Sequence, residues 1–179
     1  KGQRVSLDKG MKMALIGLGW DVNQYDGGAD FDLDASAFLL GANGKVRKDE
    51  DFIFYGNLDS SDGSVHHTGD NLTGDGEGDD EQILVDLANV PDMYDKLIFV
   101  VNIYDAVKRK QDFGMIANAI IRICDDSGEF CRYSLTDSYA GMTALIFGEI
   151  YRYNGEWKFN AIGQGTKDGG LRELAKKFQ

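Results

Sequence analysis

The sequence predicts a mainly β protein, an antiparallel β-sandwich with a short C-terminal helix, in one domain spanning residues 1–179. Short apolar runs separated by Gly, Asn and Asp follow one another along the chain, with little helical periodicity between them. Three dipeptides, Asn43-Gly44, Ser127-Gly128 and Asn154-Gly155, read as tight hairpin turns. A clear helical period stands out only in the tail, where Leu171, Leu174, Ala175 and Phe178 fall at i, i+3, i+4 and i+7.

In chain order the expected strands are Lys12–Leu18, Phe31–Leu40, Phe52–Gly56, Gln82–Leu87, Leu97–Tyr104, Ala117–Cys124, Phe130–Leu135, Thr143–Tyr153 and Glu156–Ile162. Between the last two, Asn154-Gly155 is the strongest hairpin signal, because a type I′ turn needs positive φ at both central residues. Val107–Asn118 has helical character that Phe113-Gly114 interrupts. The tail helix, Gly170–Phe178, carries Lys176 and Lys177 in its last turn, where they complement the helix dipole.

Charge is distributed unevenly. Residues 21–34 hold Asp21, Asp26, Asp30, Asp32 and Asp34, and residues 70–81 hold Asp70, Asp75, Glu77, Asp79, Asp80 and Glu81. Neither stretch contains Lys or Arg. Without these eleven acids the remaining nineteen match the nineteen basic residues, so the net charge of −11 is local to two loops. Carboxylates crowded between glycines repel one another, and a hard cation with oxygen ligands relieves that repulsion. Strand alternation puts Asp32, Asp34 and Ser36 on one face, with the two carboxylates about 7 Å apart along the strand. The second stretch is no EF-hand: a loop starting at Asp70 has Leu72 and Gly74 at ligand positions, and one starting at Asp75 has Asp80 where Gly belongs. Its alternating glycines still let the backbone curl and turn carbonyls inward.

These residues and their order carry a family resemblance. VSLDKG near the start, GLGWD at 17–21, DFDLDASAFLL at 30–40, GDNLTGDGEGDDE at 69–81 and NIYDA at 102–106 together resemble the TerD family, the tellurite-resistance and general stress proteins of bacteria. The resemblance runs from about Val5 to Ile162. It implies a calcium-binding β-sandwich with two neighbouring calcium ions, held by the aspartate-rich strand and the Gly-Asp loop. Carried over by position, the implied ligands are Asp32, Asp34, Asp70, Asn71, Asp79, Asp80 and Glu81, with backbone oxygens from Thr73 and Gly76. Asp21 and Asp30 are second choices that cap or orient the loop, Asp75 and Glu77 are weaker, and Asp105 ends a strand near the same rim.

Other chemistry has little support in the sequence. His66 and His67 lack further His or Cys at zinc-ligand spacing. Across the Ser127-Gly128 turn, Cys124 is expected opposite Cys131, as a reduced pair. No nucleophile elbow, Walker loop or HExxH is present. The first residues, KGQRVSLDKG, lack the apolar core of a signal peptide, and with sparse Cys this leads to a cytoplasmic expectation. The acidity disfavours nucleic acid. The expected function is a non-enzymatic calcium-binding module of bacterial stress response and tellurite resistance, acting as a binding or assembly component. Its expected partners are stress-response proteins with basic or amphipathic surfaces. Two alternatives are a C2-like module docking on membranes through Val22, Tyr25 and Leu72, and a metal-dependent phosphoesterase. Because the acidic loops have no Lys or Arg, the rim is expected to offer no cationic group to a phosphate or tellurite oxyanion.

Overall fold

The computed structural model describes residues 12–24 and 28–179, and the backbone of residues 4–6. Two antiparallel sheets pack face to face. Numbered in chain order, the first contains β1 (Arg4–Ser6), β3 (Leu33–Leu40), β4 (Phe52–Ile53), β7 (Lys96–Ile103), β10 (Ala144–Tyr153) and β11 (Glu156–Thr166), ordered β1-β11-β10-β7-β3-β4. The second contains β2 (Met13–Gly19), β5 (Val65–His67), β6 (Glu81–Asp86), β8 (Ile120–Asp125) and β9 (Gly128–Ser134), ordered β5-β6-β2-β8-β9. The inner faces supply the main core: Leu33, Ala35, Ala37 and Leu39 of β3 meet Ile16, Leu18, Ile83, Val85, Ile121 and Ile123 from the other sheet.

The opposite parity of β3 is buried as well. Helix α3 (Leu171–Lys176) lies over the outer face of the first sheet. Its apolar stripe, Leu171, Leu174 and Ala175, with Phe178 just beyond, packs on Phe38, Leu40, Val100, Ile146 and Phe52 as a second core. Every residue from Leu33 to Leu40 is therefore buried, Asp34 and Ser36 included. A carboxylate on a strand covered from both sides is where the fold begins to set up its chemistry.

Several expectations are corrected here. The strand expected over Phe52–Gly56 stops at Ile53, because Phe54 and Asn57 exchange backbone hydrogen bonds and turn the chain. The segment Val107–Asn118 becomes helix α1 (Ala106–Arg109), stopped by Lys110 at φ +53°, and then a 3₁₀ turn at Phe113–Met115. Strand β9 gives way at its C-terminal end to a short helix, α2 (Leu135–Ser138), capped by the Ser134 hydroxyl accepting from the Asp137 N–H. At the last hairpin, Asn154 (φ +50°) and Gly155 (φ +76°) form the type I′ turn. In the β8–β9 hairpin, however, Asp125 pairs with Gly128, so Asp126 and Ser127 are the turn residues. A bulge after Ile123 then sets Cys131 opposite Ile123 and Cys124 opposite Glu129. The two thiols do not face each other, and both are free. Tyr25 and Asp26 lie outside the described residues.

Candidate metal centre

Pairing of β2 with β6 and of β3 with β7 brings the two acidic stretches to the same end of the sandwich. Glu81, the first residue of β6, ties them together. Its Oε2 accepts from the Ala35 N–H of β3 at 2.9 Å, and its Oε1 accepts from the Asn71 N–H at 3.3 Å. Behind it, His67 of β5 is fully buried, with Nε2 at 3.3 Å from Glu81 Oε2. The Gly69 N–H donates to His67 Nδ1 at 3.0 Å, so the ring proton sits on Nε2 and faces Glu81. His67, which lacks zinc-ligand partners in the sequence, lies instead against the acidic centre.

Asp32, Asp34 and Asp70 converge, each offering a carboxylate oxygen within 4.8 Å of the others. Asp32 and Asp34 are 5% and 2% exposed. Asp32 Oδ1 and Asp34 Oδ2 are buried and have no hydrogen-bond partner. The same holds for Oδ1 of Asn102, which sits on β7 directly across from Asp34. A buried unpartnered oxygen carries a desolvation penalty of about 1–3 kcal/mol, more if charged, and a cation beside the two aspartate oxygens would relieve it. The ligand atoms are all oxygen, the donor set of calcium or magnesium. Their spacing fits the span of a calcium shell, about twice 2.3–2.6 Å.

Electrostatics point the same way. Burial, followed by the charges of Glu81, Asp32 and Asp70, raises the Asp34 pKa to about 9. Burial likewise raises Glu81 to about 9, with the Asp70 carboxylate adding to it. Asp32 rises to about 6, through burial and then Asp70, with Arg109 opposing. Without metal the folded protein thus holds protons that the unfolded chain releases near pH 4. Raised carboxyl pKa values mean stability that is full below about pH 4 and is lost as pH rises toward 9. Metal-free protein should accordingly melt at a lower temperature at pH 8 than at pH 5. A chelated melting temperature that climbs from pH 5 to pH 8 would contradict this.

Asp80 lies outside this convergent group, with other acids near enough to act on its charge. Its Oδ2 accepts from the Trp20 N–H at 2.8 Å, and its Oδ1 is 3.5 Å from Asn71 Nδ2. Burial first, and the charges of Asp79, Asp21 and Asp75, raise its pKa. Asp21 accepts from Asn118 Nδ2 at 2.8 Å. The intervening loop is built by Asn71, whose Oδ1 accepts from the N–H groups of Thr73 and Gly74. Gly74 has φ +82°, and a Cβ there would lie 2.5 Å from Trp20 Nε1, so only glycine lets the loop close on the tryptophan. Thr73 bonds to Asp75, and Gly76 curls the chain at φ +129°.

Asp79 is placed elsewhere. Its carboxylate is gripped by Arg122 of β8, with Nε donating at 2.9 Å and Nη2 at 2.6 Å, and by Gln82 Nε2 at 2.9 Å. Those contacts lower its pKa against the effect of burial. Its oxygens are occupied in joining the loop to the second sheet. Asp30 contributes its carbonyl to Arg109 and Gln111 while its side chain stays at the cavity rim. Asp105 caps α1 with φ +55° and lies 3.8 Å from Lys108, beside a cavity of about 310 Å³ that Asp34 and Asn102 also line.

The expectation of a rim without cations is overturned. A cavity of about 590 Å³ over the carboxylates is lined by Asp30, Asp32, Asp34, Asp70, Tyr55, Leu72, Tyr104 and Arg109. Arg109 arrives from α1, far along the chain from either acidic stretch, which is why local composition concealed it.

Comparison with known proteins identifies the family. A family model for the TerD domain matches residues 1–178. The chain belongs to the TerD family. It is 56% identical to tellurium resistance protein TerD of Serratia marcescens, over 99% of this chain and 94% of that protein. It is 52% identical to general stress protein 16U of Bacillus subtilis, over the same shares of the two chains. A crystal structure of a TerD homologue from Streptomyces coelicolor superposes with a TM-score of 0.82 at 21% identity, covering 95% of this chain and 99% of that one, and so shares the fold. The TerD family is thus one of tellurium-resistance and stress-response proteins. Among the described residues, no helix is long and apolar enough to cross a membrane.

Proposed function

We propose that this TerD-family chain binds calcium at the Asp32–Asp34–Asp70 centre and at a neighbouring site around Asp80. In this reading it uses the ions to organise a binding surface in bacterial stress response. The observation that carries it is the pair of buried, unpartnered carboxylate oxygens, Asp32 Oδ1 and Asp34 Oδ2, facing a third carboxylate. Asp32, Asp34, Asp70 and Asn102 would hold the first ion, with Glu81 fixing the loop. Asp80, Asp21 and Asp75 would hold the second. Bound calcium supplies charge compensation and a rigid loop. The cytoplasmic placement expected from the sequence stays part of the proposal.

The surface round the cavity suits a ligand or an amphipathic partner, since Tyr55, Leu72, Tyr104 and Met115 are exposed there beside the charges. General acid–base chemistry finds no histidine at this cavity: His67 is buried behind Glu81, and His66 Nδ1 is 2.6 Å from Asp59. We keep the reading non-enzymatic, and the phosphate-ester assay below tests it.

Calorimetric titration of metal-free protein tests it. Two calcium ions per chain are expected, with weaker magnesium binding, because magnesium requires a tighter octahedron and dehydrates reluctantly. Asp34→Asn should remove the first site, whereas Asp79→Asn should leave it. A flat calcium isotherm would sink the proposal. Strong calcium-dependent binding to anionic vesicles would favour the membrane-docking alternative, and hydrolysis of phosphate esters lost in Asp34→Asn would favour the enzyme.

A further inference from the structure

Arg109 is the feature of this cavity that a cation site leaves unexplained. A guanidinium beside four aspartates should pair with one of them, yet among the described residues Arg109 forms no ion pair. Its Nη1 donates instead to the Asp30 carbonyl at 3.0 Å, and the guanidinium carbon lies 5.4 Å from the centre of the Tyr104 ring. Gln111 Nε2 donates to the carbonyls of Ala29 and Asp30, holding that segment from the same side. A guanidinium has five N–H donors, and one carbonyl occupies only one of them. Across the cavity Tyr55 meets Tyr104 edge-on, with ring centres 6.3 Å apart and planes at 84°, and Leu72 extends the apolar wall. The space they frame, about 590 Å³, lies within the range of small-molecule sites.

We propose that this cavity binds a small phosphate monoester carrying one flat ring, with Arg109 as the charge partner of the phosphate and Tyr55 and Tyr104 as the contacts of the ring. The inference rests on the calcium reading. With bare carboxylates on its floor the cavity repels an anion, and with a cation held by Asp32 and Asp34, whose unpartnered oxygens line it, that repulsion is offset. A phosphate has three terminal oxygens, enough to face the guanidinium and the compensated floor together, whereas a carboxylate has two. Arginine matches phosphate with paired donors. Aromatic walls suit a flat ring, and one of them already stacks the arginine.

The test is titration of calcium-saturated protein with phenyl phosphate, followed by calorimetry, beside a calcium titration of each variant. One phenyl phosphate per chain is expected, with binding lost in chelator and weakened about tenfold or more in Arg109→Gln. Arg109→Gln should keep or strengthen calcium binding, since a cation near the floor has gone. Tyr104→Leu should weaken phenyl phosphate while leaving inorganic phosphate unchanged. Calcium binding without phenyl phosphate binding overturns this inference alone, whereas absence of calcium binding overturns the reading beneath it. Equal binding in Arg109→Gln, equal binding in chelator, or benzoate binding as tightly as phenyl phosphate would each overturn the phosphate site. Inorganic phosphate binding as tightly as phenyl phosphate would overturn the ring contact.

Discussion

Stripping calcium from the saturated protein is expected to lower its melting temperature by about 5–11 °C for each site that had been held at a hundredfold excess over its dissociation constant. Linkage supplies about 2.7 kcal/mol per site under that condition, and a chain of this length shifts by about 2–4 °C per kcal/mol. Two sites double the shift. The physical source is the buried cluster, where Asp34 and Glu81 are 2% and 1% exposed and must either hold protons or share a cation. Asp34→Asn removes one buried acid, so the variant should be no less stable than its parent in chelator and should gain less from calcium. Scanning calorimetry with and without chelator makes the comparison. Identical melting in the two buffers would mean that the carboxylates do not depend on an ion.

The second large effect is expected away from the ions. Asp79 has a side chain only 4% exposed, and Arg122 is its cationic partner. Arg122→Leu leaves that carboxylate with Gln82 alone; breaking a fully buried pair from one side costs about 3–5 kcal/mol, and with Arg122 28% exposed the loss should fall at or below the lower end. Asp79→Leu in the same chain should restore part of the loss, because two apolar side chains strand no charge. Both variants should keep the calcium site at Asp34. Unchanged denaturant midpoints for Arg122→Leu would show the contact to be a solvated surface pair.

These two predictions separate residues that the sequence presents alike. Asp79 and Asp80 are neighbours in one acidic run, yet the loop entering β6 sends the first to Arg122 and the second to Trp20. Local pattern identified the sandwich, the Asn154-Gly155 turn, the amphipathic tail and the acidic end of β3. Long-range register decided the rest. Asn102 and Asp34 meet only because β7 pairs with β3, and Arg109 reaches the cavity only because α1 follows β7 at that end. Strand β5 is three residues long, and Val65-His66-His67 has too little pattern to announce itself. The burial of Phe38 and Leu40 was hidden for a similar reason, since their cover is written more than a hundred residues later in α3.

That cover also has a consequence for synthesis. The six-stranded sheet is complete once Thr166 has been made, but the helix that shields its outer face begins at Leu171. A chain cut short after Thr166 would therefore leave Phe38, Phe52, Val100 and Ile146 without their lid. Such a chain would have every strand of the sheet and an uncovered aromatic face, the form of this protein most prone to adhere to its neighbours.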